Sequence, residues 1–157
     1  MKHTAMLDQI LSQVKSKLGG ELNEAGLDET QKDKAVELAG ESVQEVVKVE
    51  ASGGNVDGLL DLFGGKTDLA SSPIVKKIGN LLANKLVASL NLPEGVASAV
   101  STKLIPMLIG MISNKFQKSD KSGTDGLMEI FKGMGSEAIF SALKGNAGNM
   151  LGGLFGK

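Results

Sequence analysis

Apolar residues fall three and four apart along most of this sequence, and nowhere do they alternate with polar ones over the length of a strand. A period near 3.6 gathers such residues on one helix face, whereas a half-buried strand needs a period of two. The expected fold is therefore all-α, a multihelical single domain with no sheet. Composition agrees. Aromatic residues are 3% of the chain, five Phe with neither Trp nor Tyr, so the core must come from Leu, Val, Ile, Ala and seven Met. Strands lean on aromatic and β-branched side chains more than helices do.

The helices can be placed from their punctuation. Met6, Ile10, Leu11, Val14, Leu18 and Leu22 outline a first helix of about four turns, ending at Gly19-Gly20 or running on toward Glu24. Asp28 with Gln31 three residues later reads as a capping box. It opens a helix to about Ala51 whose stripe is Val36, Ala39, Val43 and Val47. A short helix over Val56 to Phe63 is closed by Gly64-Gly65. Ser72-Pro73 starts the next, with Ile74, Ile78, Leu81, Leu82 and Leu86 inward. Leu92-Pro93-Glu94 starts the longest and most apolar one, to about Gln117 through Val100, Leu104, Leu108, Met111 and Ile112. Pro106 inside it removes one backbone bond and crowds the Thr102 carbonyl, so loosening or a bend is expected there. Two short helices, near Asp125–Lys132 and Ser136–Lys144, precede a Gly-rich segment.

The sequence also resembles itself. Asp57-Gly58-Leu59-Leu60-Asp61-Leu62-Phe63-Gly64-Gly65 matches Asp125-Gly126-Leu127-Met128-Glu129-Ile130-Phe131-Lys132-Gly133, and Leu27-Asp28-Glu29 matches Leu92-Pro93-Glu94. The expected organisation is a helical domain over 1–145 built from two tandem helix–long helix–short helix repeats, about 6–65 and 73–133, followed by a Gly-rich apolar segment over 146–157. Phe63 and Phe131 should then hold equivalent buried positions. The short Gly/Leu motif, the Leu-Asp-Glu and Leu-Pro-Glu helix starts and Ile105-Pro106-Met107-Leu108-Ile109-Gly110 resemble a YidB-like bacterial domain family of unknown function over roughly residues 25–133. That resemblance implies a helical fold and a bacterial source, and no reaction.

Chemistry is limited by what is missing. All 17 positive residues are Lys against 18 acids, and without Arg, aromatics or a basic balance a nucleic-acid partner is not expected. The chain has no Cys, which removes thiol catalysis and zinc ribbons. His3, the sole histidine, sits in a terminal stretch apt to fray. Asp57 with Asp61 and Asp125 with Glu129 are carboxylate pairs four apart, better read as helix-start acids than as half of a metal site. Lys115, Lys118 and Lys121 read as a solubilising cluster, and Met107, Met111, Met128 and Met134 as core filling. No phosphate loop or nucleophile elbow occurs. The N-terminal stretch has no secretory apolar core, and the longest apolar run, Leu104 to Ile112, falls short of the ~20 residues of a spanning helix.

These readings lead to a cytoplasmic protein that is not an enzyme, needs no cofactor or metal, and acts as a structural or interaction protein. It would self-associate or bind another protein; the alternative is a lipid or apolar-ligand binder at a membrane surface. The candidate interaction residues are Met150, Leu151, Leu154 and Phe155, at helical spacing in the Gly-rich segment.

Overall fold

A computed structural model of the protein describes residues 5–66, 68–121, 123–134 and 136–145. Their order is α1 (Ala5–Glu24), α2 (Glu29–Ser52), α3 (Val56–Phe63), a 3-10 turn (Leu69–Ser71), α4 (Pro73–Leu90), α5 (Glu94–Lys118), α6 (Gly123–Gly133) and α7 over 137–145. Among the described residues there is no strand, so the all-α expectation holds.

Local chemistry explains the boundaries. Asp28 accepts from the Gln31 amide at 2.8 Å, and the Gln31 side chain accepts from the Asp28 amide at 3.0 Å. This is the reciprocal box that satisfies donors at a helix start. Ser72 accepts from the Val75 amide at 3.3 Å, with Pro73 as the first helical residue. Asn91 ends α4 at φ 55°, the left-handed cap that Asn tolerates better than most residues. At α3 the cap is Asn55, accepting from the Gly58 amide at 3.3 Å, and Asp57 stands in the first turn. The pair Gly19-Gly20 does not stop α1, because buried Leu18 and Leu22 on either side hold the helix against the core.

Every helix contributes to one apolar cluster, so the two halves of the chain share a single core. The stripe Val36, Ala39, Val43 and Val47 is buried, as are Ile74, Ile78, Leu82 and Leu86, while Leu81 is half-buried. Helix α5 is central and meets α1, α2, α3, α4 and α6. By length and a mean hydropathy of 1.6 it could cross a membrane, but a core helix meets the same test, and Val100, Leu104, Leu108 and Ile112 are spent inside this fold. It continues unbroken through Pro106. Met134 is buried, and Met107, Met111 and Met128 pack half-buried at the edge of the core.

The two Asp-Gly-Leu motifs have steric reasons. A Cβ on Gly58 would lie 2.7 Å from the capping Asn55 side chain, and one on Gly126 2.8 Å from both the Lys121 carbonyl and the Phe116 ring. Phe63 and Phe131 are both fully buried, and their rings meet edge to face with centroids 5.8 Å apart. At the end of α3, the Phe63 carbonyl, which the helix end leaves without an intrahelical donor, accepts from Ser113 of α5 at 2.6 Å and from the Gln117 side chain at 3.4 Å.

Candidate functional site

Helices α4 and α5 lie side by side through small residues. Ser101 of α5 donates to the Gly79 carbonyl of α4 at 2.8 Å, drawing the two backbones together. Around this contact Gly79, Ala83 and Ser98 fill little space, and a trough opens above them. Its central section, about 630 Å³, is lined mainly by apolar atoms: Leu69 and Ala70 of the 3-10 turn, Val75 of α4, and Ile105 with Pro106 of α5. Lys76, Asn80 and Thr102 form its polar border. A section of about 370 Å³ continues it, sharing Ala83 and Ser98 and reaching Glu94, and a separate hollow of about 410 Å³ between the end of α3 and α5 borders it at Leu69 and reaches Gly110 and Asn114. Along α5 the trough thus follows Glu94, Ser98, Thr102 and Pro106, every fourth residue, over about 18 Å at 1.5 Å per residue.

The lining can bind more readily than it can react. Ser101 spends its hydroxyl proton on Gly79, and Thr102 donates to the Ser98 carbonyl at 2.9 Å. Lys76 is the charged side chain of the central section, with no acid beside it there to make an acid–base pair. Pro106 adds one polar feature: lacking an N–H, it leaves the Thr102 carbonyl at the border without its intrahelical donor. The surface therefore offers an apolar channel with backbone and hydroxyl acceptors along its side.

Two other clusters were candidates. Glu50 is buried where α2 ends, accepting from Asn55 and paired with Lys77 of α4 at 2.7 Å. The Asn55 amide and the Lys77 ammonium hold its pKa below the ordinary carboxylate value despite burial. This ties α2, the start of α3 and α4 together. Ser136, before α7, has a buried hydroxyl without a partner beside Glu41, Gln44, Glu45 and Lys48 of α2. Mixed charges there favour neither an anion nor a cation.

Of the residues singled out from the sequence, Asp57, Asp61, Asp125 and Glu129 are all exposed, and Glu129 accepts from Ser119 at 2.7 Å. Among the described residues no group of three acids or histidines is placed to hold a metal ion. His3 and the proposed interaction residues Met150, Leu151, Leu154 and Phe155 lie outside the described residues. The trough was missed because sequence reading follows large apolar residues. Its signal lay in small ones, Gly79 and Ala83 on α4 and Ser98 on α5, spaced for helix contact.

Comparison of the chain with protein-family models, with curated proteins and with solved structures finds no match.

Proposed function

We propose that this chain is a non-catalytic, cytoplasmic interaction protein that uses the α4–α5 trough to hold apolar residues of another polypeptide, including another copy of itself. The observation that carries this reading is the trough: a long apolar channel with a sparse polar border, the shape in which an amphipathic segment buries its apolar face. The resemblance to a helical bacterial family without a reaction fits it. The tandem organisation belongs to the same proposal, with α1–α3 and α4–α6 as two copies. It is supported by the paired burial of Phe63 and Phe131, and by the way α1 and α4 each pack on both long helices.

Gly79→Leu tests the binding surface directly. A Cβ at Gly79 meets nothing within 4 Å, so a larger side chain enters the trough without displacing the fold. The expected result is an unchanged helical circular-dichroism spectrum with weaker self-association or partner capture in light scattering. Association identical to that of the unsubstituted protein overturns the assignment. The alternative, a lipid chain in the same channel with Lys76 beside the headgroup, is read from flotation with anionic vesicles. Flotation that Gly79→Leu abolishes replaces the polypeptide reading with the lipid one.

A further inference from the structure

We infer that the partner at the trough is a second copy of this chain presenting the same α4–α5 face, the two related by a two-fold axis that brings Lys76 of each against Glu94 of the other. The inference rests on the reading of the trough as a binding surface and names its partner. It begins from the charges of the two helices. Lys77 and Lys85 of α4 pair with Glu50 and Glu45 of α2, and Lys103 of α5 pairs with Glu21 of α1. Lys76 and Glu94 are the charged residues lining the trough. Both are exposed, and neither has an ion-pair partner among the described residues.

Their positions follow from the Ser101–Gly79 contact. Val87 and Ala88 of α4 border the trough with Glu94 of α5, and Val75 and Lys76 border it with Ile105 and Pro106, so the two helices run antiparallel. Lys76 precedes Gly79 on α4 by three residues, and Glu94 precedes Ser101 on α5 by seven. In antiparallel helices these steps lead to opposite sides of the contact, about 15 Å apart along the axes at 1.5 Å per residue. Between them the border is polar and uncharged, with Asn80, Asn84, Ser98 and Thr102. Depletion of charge at the centre of a patch, with charge kept to its rim, is the composition of a protein interface.

A face with one unpaired cation at one end and one unpaired anion at the other is complementary to itself. A two-fold axis lying in the contact plane, across the trough and between the two charges, sets Lys76 of each copy beside Glu94 of the other. The contact then closes with two ion pairs at its rim and leaves neither charge facing its like. An axis running along the trough would keep both lysines at one end and both glutamates at the other, so the charges fix the orientation. The neutral border suits the same symmetry. Asn carries both donor and acceptor, and so does a hydroxyl, so identical groups can bond across the axis. A Cβ at Gly79 meets nothing within 4 Å, which leaves room for the second copy's helix to approach closely.

Charge exchange in the full-length protein, read by light scattering, tests this. Lys76→Glu and Glu94→Lys each set like charges against one another at both rim contacts. Each alone is expected to raise the dimer dissociation constant about tenfold or more. Mixed in equal amounts, the two variants should regain dimer mass. The acid introduced at position 76 of one then faces the base introduced at position 94 of the other, and the native Glu94 and Lys76 form the second pair. The double variant should dimerise as the unsubstituted protein does. If a reversal impairs folding in circular dichroism, Lys76→Gln and Glu94→Gln replace it, with a smaller rise expected and no rise counting against the pairing. Charge variants without effect, beside a Gly79→Leu that lowers the mass, overturn the two-fold pairing and leave the trough reading standing. A mixture that stays monomeric, or mass that grows past a dimer with concentration, also overturns the pairing. A monomeric unsubstituted protein overturns the inference and the self-association reading together, and the trough reading then stands or falls on capture of a different polypeptide that Gly79→Leu weakens.

Discussion

The rings of Phe63 and Phe131 meet at 66° with both side chains fully enclosed, and this chain has neither Trp nor Tyr to share their role. A buried Phe contributes its transfer energy and fills a volume that the neighbours cannot close when it is removed. Phe63→Ala and Phe131→Ala should each cost about 3–5 kcal/mol in chemical denaturation. Because the rings touch, the double variant should cost less than the sum of the two, which a double-mutant cycle measures directly. Strict additivity would mean that the ring contact contributes nothing beyond burial.

At the scale of the element, helix glycines separate into two kinds. Gly126 in α6 sits where a Cβ would collide with the Lys121 backbone, an atom that cannot rotate away. Gly79 in α4 faces open space, so its replacement by Ala meets no obstacle and gains helix propensity. Gly126→Ala should therefore lower stability by about 1–3 kcal/mol, the range of overpacking. Gly79→Ala should raise it by up to about 1 kcal/mol. Thermal unfolding of the two variants checks both signs, and a stabilised Gly126→Ala would contradict the packing given for the second Asp-Gly-Leu motif. The motif pattern was legible as a repeat of letters; that its glycines answer to steric contact was not, since the contacting atoms belong to Asn55 in one case and to Lys121 and Phe116 in the other.

Across the whole molecule, ion pairs join helices that are distant in sequence: Lys77 to Glu50, Lys85 to Glu45 and Lys103 to Glu21, while Lys15 bridges Glu29 and Asp33. Glu50 is the buried member, and Asn55 followed by Lys77 lowers its pKa. Glu29, exposed, is lowered by Lys15. A carboxylate with a depressed folded-state pKa stabilises the fold above its unfolded value of about 4.3, and that contribution is lost as pH falls through the folded value. Stability should thus hold from neutrality down to the ordinary carboxylate range and decline below it. Glu50→Gln should be less stable at pH 7 and show a shallower decline in acid, as read from denaturant midpoints against pH. An unchanged slope would remove Glu50 from the linkage.

The helices and most of their ends were written in local chemistry: the Asp28–Gln31 box, Ser72-Pro73 and the 3.6-residue spacing of Leu, Ile and Val act within one or two turns. Sequence alone therefore determined the class of fold, the extent of α3 and the burial of Phe63 and Phe131. Where a local signal competed with packing, tertiary structure decided, as when Leu18 and Leu22 carried α1 past Gly19-Gly20. The trough was decided there entirely. A hollow is what remains when two helix faces fail to fill the space between them, and Gly79, Ala83, Ser98 and Pro106 define one only once α4 and α5 lie side by side. The same holds for Glu50, whose partner Lys77 stands 27 residues away on another helix. Periodicity reports which face of a helix turns inward; which helices meet there depends on the volume and polarity of side chains far apart in sequence.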